Sequence, residues 1–266
     1  MSHADPGYPL AAAVTPRLQV ADTVDSTNAK LLSDVAADPV GHPHLSVLLT
    51  RDQRAGRGRL GRSWTAPPGT ALAVSVLLDV GAVAHADRGW IPLVAGAAMR
   101  RAVAQQLIGL DVALKWPNDV LVSGLKISGI LAEVLAGDPQ RVVVGAGVNT
   151  TMSESDLPLP TATSFAALGR DVDEDRLVAD YLTALRDGVA ALSVSGSAGV
   201  AEEIAAVCAT LGSDVDVSLP DGTTLHGRAE RLDAEGRLVV AAGGTEAVVS
   251  AGDVVHVRPT SGPAPS

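Results

Sequence analysis

Five of the chain's 17 arginines, Arg51, Arg54, Arg57, Arg59 and Arg62, fall within one twelve-residue stretch. Three of them interleave with glycines in Gly56-Arg57-Gly58-Arg59-Leu60-Gly61-Arg62, and Ser63-Trp64 follows. Glycine lets such a loop fold over a ligand, while guanidinium forks grip phosphate or carboxylate oxygens two at a time. The same residues satisfy G-x-G-x-x-G, the dinucleotide fingerprint, and follow an apolar strand as that motif requires. The fingerprint also needs a helix whose N-terminus meets a pyrophosphate, and Pro67-Pro68-Gly69 leaves no length for one. The plain alternative is a solvated basic loop.

Two more clusters carry chemistry. In Lys115-Trp116-Pro117-Asn118-Asp119 a proline ends a strand and sets an amide and a carboxylate at its tip, as a ligand contact or as an ordinary turn. In Lys126-Ile127-Ser128-Gly129-Ile130-Leu131-Ala132-Glu133 a lysine opens an apolar strand, and Gly129 permits close backbone approach. That ammonium either bridges two anionic oxygens or snorkels from a strand end. The chain has only two other lysines, Lys30 and Lys115. Asp25-Ser26-Thr27-Asn28 supplies hydroxyls and an amide, or simply a helix cap. Gly145-Ala146-Gly147-Val148-Asn149 ends a strand, as a bulge or as one wall of a pocket.

The elements that must position these groups are mixed up to Gly212. Leu18–Val24 and Leu45–Thr50 read as strands around a helix capped by Ser26 or Thr27 and running to Ala37. Ala71–Asp79 alternates, with Leu72, Val74, Val76 and Leu78 on one face, predicting a half-buried strand. Trp90–Leu107 predicts a buried helix. Val112–Trp116, Ile127–Leu135 and Arg141–Val148 predict further strands. Leu177, Val178, Tyr181, Leu182, Leu185, Val189 and Leu192 form a helical stripe behind the acidic turn Asp171–Asp175. Val200–Leu211 predicts a last helix, with Gly212 at its C′ position.

From there on the pattern is all strand: Val215–Leu219, Thr224–Leu232, Leu238–Ala242, Glu246–Ser250 and Val254–Val257. Pro-Asp-Gly, Ala-Glu-Gly and Ala-Gly-Asp turns separate them, predicting a small closed barrel. The expected organisation is an α+β fold: tail 1–16, a mixed-sheet domain 17–211 flanked by helices, a β domain 212–258 and a tail 259–266.

Composition bounds the function. The 266 residues are 47% hydrophobic, enough for a sizeable core. No apolar run reaches the roughly 20 residues of a membrane span, and the start lacks a secretory pattern, predicting a cytoplasmic protein with no membrane partner. One cysteine, Cys208, excludes an internal disulfide and a cysteine-built metal site. A net charge of −10 and 2% aromatic residues argue against nucleic acid as partner.

In this order and spacing, the Asp25–Asn28, Gln53–Arg59, Trp64, Lys115–Asp119, Lys126–Glu133 and Gly145–Asn149 segments resemble the biotin protein ligases, over roughly residues 18–260. The resemblance implies a class II synthetase-like, biotin–lipoyl ligase fold with a C-terminal SH3-like barrel. It implies an enzyme with biotin and ATP as substrates and Mg²⁺ accompanying ATP. Such an enzyme forms biotinyl-5′-AMP and passes biotin to one lysine of a biotin carboxyl carrier domain of acyl-CoA carboxylase. By the same resemblance Lys126 lies between the biotin carboxylate and the α-phosphate. Arg57, Gly58 and Arg59 match the adenylate loop, with Arg59 and Asp119 joining Lys126 as catalytic candidates. Ser26, Thr27, Asn28, Gln53 and Gly129 match the biotin pocket, and Arg62, Trp64, Asn118 and Asn149 the nucleotide side.

The resemblance names no dedicated metal ligand and leaves the oligomeric state open. Leu60 stands where some relatives carry another arginine. About sixteen residues precede the first strand, too few for the helix-turn-helix with which larger relatives repress transcription, so no repressor function is expected. A lipoate ligase, a non-catalytic biotin or nucleotide sensor and a dinucleotide-binding oxidoreductase are the rival readings. The glycine-arginine loop, Lys126 and the prolines after the loop argue against each in turn.

Overall fold

The computed structural model describes residues 7–219, 222–250 and 253–256. Its larger sheet has seven strands: β1 (Leu18–Ala21), β2 (Val47–Thr50), β5 (Ala71–Asp79), β6 (Val112–Lys115), β7 (Asp119–Val122), β8 (Leu125–Leu135) and β9 (Asp138–Asn149). Their spatial order is β1-β2-β5-β9-β8-β7-β6. β1 and β2 run parallel and every other neighbour pair is antiparallel, so the sheet is mixed, as expected. β3 (Gly56–Arg57) and β4 (Ser63–Trp64) form a separate two-stranded flap between β2 and β5.

One face of the sheet packs on α3 (Ile91–Gln106), and α4 (Glu174–Ser195) packs on α3 in turn. Leu72, Val74, Val76 and Leu78 join the main core there with Val144, Ala146 and Val148. The α4 stripe predicted from Leu177 to Leu192 is buried in the same core. The opposite face is covered at one end by α2 (Thr27–Ala37), whose Leu31 and Val35 pack on Leu48, Leu77 and Val143. β5 is therefore buried on both faces, and only Asp79 of the strand is exposed. The half-buried expectation fails because α2 and the flap cover the second face.

The tail expected over residues 1–16 is partly structured. α1 (Pro9–Val14) lies against α4, with Tyr8 and Ala11 buried. The acidic first turn of α4 pins it: the Asp175 carboxylate accepts from Leu10 N at 2.9 Å and Ala11 N at 2.8 Å, and Glu174 accepts from Tyr8 OH at 3.0 Å. Residues 1–6 and the tail expected at 259–266 lie outside the described residues.

The helix expected over Val200–Leu211 is shorter, α5 (Ala201–Val207), because Cys208 bridges to Leu114 of β6. Gly212, at φ 77°, then serves the turn into the second sheet and is not a helix C′ residue.

That sheet holds β10 (Asp214–Ser218), β11 (Thr224–Leu232), β12 (Leu238–Ala242), β13 (Thr245–Val249) and β14 (Asp253–His256), ordered β13-β12-β11-β10-β14 and antiparallel throughout. This is the small β domain expected after Gly212, and among the described residues no ladder joins β13 to β14. Parts of the Pro-Asp-Gly and Ala-Gly-Asp turns, and Val257, lie outside the described residues. Two tryptophans fasten the sheet to the larger one: Trp90 Nε1 donates to Ala234 O at 2.9 Å and Trp116 Nε1 to Gly236 O at 3.1 Å.

Candidate active site

Beyond the end of α2, the same sheet face carries small residues where the main core has branched ones. Ala73 and Ser75 of β5 pair with Gly147 and Gly145 of β9, which pair with Gly129 and Leu131 of β8. The side-chain period of two puts this row opposite the buried valines, leaving a depression. A Cβ on Gly145 would stand 2.3 Å from Asn28 Oδ1, and one on Gly147 2.8 Å from Trp64 Cε2. Glycine is thus required where Asn28 and Trp64 lie against the sheet. The ladders run unbroken through residues 145–149, so this segment is a wall and not a bulge.

At one end of the depression sits a network of neutral polar side chains backed by the Glu133 carboxylate. Ser26 caps α2 through Oγ, accepting from Ala29 N at 3.3 Å. Gln53 Oε1 accepts from both Thr27 N (2.8 Å) and Thr27 Oγ1 (3.0 Å). Asn28 spends both amide hydrogens, on Leu131 O at 3.1 Å and Glu133 Oε2 at 2.8 Å, and its Oδ1 accepts from Ser75 Oγ at 2.6 Å. Only one acceptor lone pair of Asn28 is left for a ligand. Ser75 and Glu133 were not among the predicted site residues.

The other end is cationic. The flap is a hairpin closed by Gly58 N donating to Arg62 O at 2.6 Å, with Leu60 at φ 56° in the turn. No α-helix follows it before β5, as the prolines predict. Arg57 Nη2 lies 3.0 Å from Glu133 Oε1, and Arg59 Nη1 donates to Asn118 Oδ1 at 3.3 Å. Asn118 is itself fixed, donating Nδ2 to Ile130 O at 2.7 Å, as Asn149 donates Nδ2 to Thr163 O at 2.8 Å. Lys126 Nζ stands 2.6 Å from Asp119 Oδ1. A Cβ on Gly129 would come within 3.1 Å of that Nζ, so the missing side chain makes room for the ammonium.

Asp119 is not a loop tip: it opens β7 and pairs with Lys115 across a tight hairpin whose Trp116–Pro117 peptide is cis. Burial lowers the pKa of the Arg59 guanidinium, which Asp119 opposes and Arg62 reinforces. Burial likewise lowers the pKa of the Lys115 ammonium, with Asp119 opposing and Lys126 adding to it. Positive charge is held here short of full solvation.

Every residue that the resemblance assigned to the site lines one cavity of about 310 Å³: Ser26, Thr27, Asn28 and Gln53 at one end, then Arg57, Gly58, Arg59, Arg62 and Trp64 from the flap, and Asn118, Asp119, Lys126, Gly129 and Asn149 from the sheet. Four cationic side chains and one carboxylate line it, in a chain of net charge −10. A larger cavity of about 770 Å³ shares Arg59 and Asn118 but not Lys126, and extends to Glu235 and Arg237 of the second sheet. Among the described residues no group of three His, Cys, Asp or Glu side chains is placed to hold a metal ion, and no helix is long and apolar enough to cross a membrane.

Comparison with known proteins gives the same outline twice. The profile of the Biotin/lipoate A/B protein ligase family matches residues 20–149, and that of the biotin protein ligase C-terminal domain matches residues 210–257. A biotin–[acetyl-CoA-carboxylase] ligase of Mycobacterium tuberculosis is 40% identical over 249 residues, covering 91% of this chain and 90% of that protein. One from Paracoccus denitrificans is 31% identical, covering 86% of this chain and 96% of that protein. Among solved structures, the biotin protein ligase of Aquifex aeolicus in complex with biotin and ATP superposes with a TM-score of 0.75 at 24% identity, over 91% of this chain and 99% of that one.

Proposed function

This chain belongs to the biotin protein ligase family and is a ligase, and from that premise we propose that it activates biotin as biotinyl-5′-AMP and transfers the biotinyl group to a lysine of a biotin carboxyl carrier domain of acyl-CoA carboxylase. The observation that carries the proposal is the cavity's charge, four cations around one carboxylate beside a neutral hydrogen-bonding end. Biotin is a neutral ureido ring at one end and a carboxylate at the other, and the cavity has that polarity.

In this reading Thr27, Gln53 and the free lone pair of Asn28 Oδ1 receive the ureido ring, over the floor made by Gly145 and Gly129. Its carboxylate is directed at Lys126. ATP enters on the flap side, with Trp64, Asn118 and Asn149 around the nucleotide and Arg59 and Arg62 on phosphate oxygens. A carboxylate oxygen then attacks the α-phosphorus, the bond to the β,γ-phosphates breaks, and pyrophosphate leaves. The obstacle is repulsion between two anions, and cations fixed between them lower that barrier without reorganising. Asp119 is the only carboxylate in the lining and it is paired with Lys126, so the residues do not form a Mg²⁺ cage. Mg²⁺ then comes on the phosphate oxygens of ATP.

In the second step the carrier lysine attacks the acyl carbon and AMP leaves. The amine is protonated in water, with a reference pKa of about 10.4, and Asp119 is the group available to orient it. The wall shared with the larger cavity, Arg59 and Asn118, supports entry of that lysine from the side facing the second sheet.

The test is pyrophosphate release from biotin and Mg-ATP, with and without a carrier domain, comparing the parent with Lys126→Ala. The expected outcome is release by the parent and a loss of about 10²–10³-fold in the variant. Equal release by both would remove Lys126 from the chemistry, and incorporation of lipoate in preference to biotin would replace the substrate.

A further inference from the structure

Glu133 has no place in the chemistry above, yet it bonds both to a pocket residue and to the flap. Its Oε2 accepts from Asn28 Nδ2 at 2.8 Å, and Arg57 Nη2 lies 3.0 Å from Oε1 and 3.2 Å from Oε2. Asn28 continues the chain to Ser75 on β5, inside the sheet, at 2.6 Å. The result is a hydrogen-bonded line, Ser75 to Asn28 to Glu133 to Arg57, that runs from the rigid sheet to the first strand of the flap.

The strand pattern explains how Glu133 comes to be there. Gly129, Leu131 and Glu133 share one face of β8, the face opposite the main core, so the carboxylate emerges at the edge of the pocket floor. A carboxylate with two such partners is held in one orientation. Arg57, whose side chain is half-exposed, gains a fixed anchor. The second arginine of the flap is differently placed: Arg59 donates to the neutral Asn118, with the Asp119 carboxylate acting on it through its charge.

We propose that Glu133 is a positioning residue, a latch that holds the closed flap through Arg57 and aligns the Asn28 amide through the same carboxylate. It thereby sets how long the activated intermediate is retained, and leaves the chemical step to Lys126 and Arg59. The latch rests on the biotinyl-adenylate reading for its consequence but not for its geometry, so the experiment has one arm that needs no substrate.

In the first arm, hydrogen exchange of the Gly58 amide, which donates to Arg62 O across the flap, is followed in the ligand-free protein. Glu133→Gln keeps an acceptor for Asn28 but removes the charge, and Arg57→Met removes the other partner. Each is expected to accelerate exchange roughly fivefold, the scale of one half-exposed ion pair, and the double variant is expected to do no more than either alone. In the second arm, release of biotinyl-adenylate from preloaded protein is expected to rise by about the same factor in both single variants, while in Glu133→Gln the rate of pyrophosphate release changes less than about twofold.

Unchanged flap exchange in Glu133→Gln overturns the latch, and so do additive effects in the double variant. A matching fall in pyrophosphate release would show that Glu133 acts in the chemistry and also overturns it. Should the parent form no adenylate, the first arm still decides the latch while the functional reading fails alone. Should Glu133→Gln be poorly folded by circular dichroism, Arg57→Met carries the flap-exchange comparison from the exposed side of the pair.

Discussion

At the neutral end of the cavity the polar groups are occupied by one another: Thr27 with Gln53, and Asn28 with Ser75, Leu131 and Glu133, at 2.6 to 3.1 Å. At the cationic end Lys126 shares one carboxylate with its surroundings, and Arg59 is drawn partly out of water to meet a neutral amide. The first arrangement is rigid before any ligand comes. The second holds charge whose desolvation is recovered only when an anion arrives, which is how a site favours a charged transition state over the empty state. On the proposed function, shape and recognition belong to one wall and reactivity to the other.

The strongest way to break this division is to remove the guanidinium at the cationic end. Arg59→Gly is expected to loosen the flap over the mixed anhydride, releasing adenylate about 10- to 100-fold faster, the cost of a charge-assisted contact. Biotin should then appear on lysines of unrelated bystander proteins, read by avidin blotting. Labelling still confined to the carrier, with adenylate retained as in the parent, would mean that Arg59 does not guard the intermediate.

A smaller effect, of a different kind, is expected from the neutral end. Thr27→Val removes a hydroxyl that donates to Gln53 at 3.0 Å and leaves the chain's shape alone. One neutral hydrogen bond corresponds to about a fivefold to tenfold rise in KM for biotin, with kcat unchanged. Steady-state kinetics with saturating ATP checks this. An equal fall in kcat would show that the two walls are not separate in function.

How legible this was in the sequence differs between the walls. The cationic residues stood out because arginines interleaved with glycines, and a lysine opening an apolar strand, are chemically unusual next to their neighbours. The hydrogen-bonding partners did not. Ser75 lies inside an apolar strand, and only the pairing of β5 with β9 and the approach of α2, more than forty residues away in sequence, explain it. Glu133 did carry a signal, a carboxylate two and four residues from Leu131 and Gly129 on one strand face, but a strand-end glutamate is also an ordinary solvated residue. Asp119 was found but misplaced, since the short strand β7 is hidden behind the Pro117 turn. α1 was missed because six residues rich in alanine have little helical signal without α4 to pack on. The five strands after Gly212 were found, their turns being written in glycine and aspartate.

The finest test of the comparison uses Lys115, which adds positive charge behind the cationic wall without lining the cavity. Burial lowers its pKa from the ordinary 10.5, and the neighbouring Lys126 pushes the same way. The unfolded chain therefore binds this proton more tightly than the native one. Below the native pKa both states are charged and folding carries the full desolvation penalty. As pH rises through the native value toward 10.5 the native lysine is neutral first, and the penalty is relieved. Lys115→Met should therefore be more stable than the parent at pH 7, with the difference shrinking by pH 10, as read by urea unfolding at both values. A variant less stable at pH 7 would mean that the Asp119 carboxylate more than compensates the buried ammonium. The cationic end would then be a balanced ion network like its neutral counterpart, and its stored charge would be no source of catalytic power.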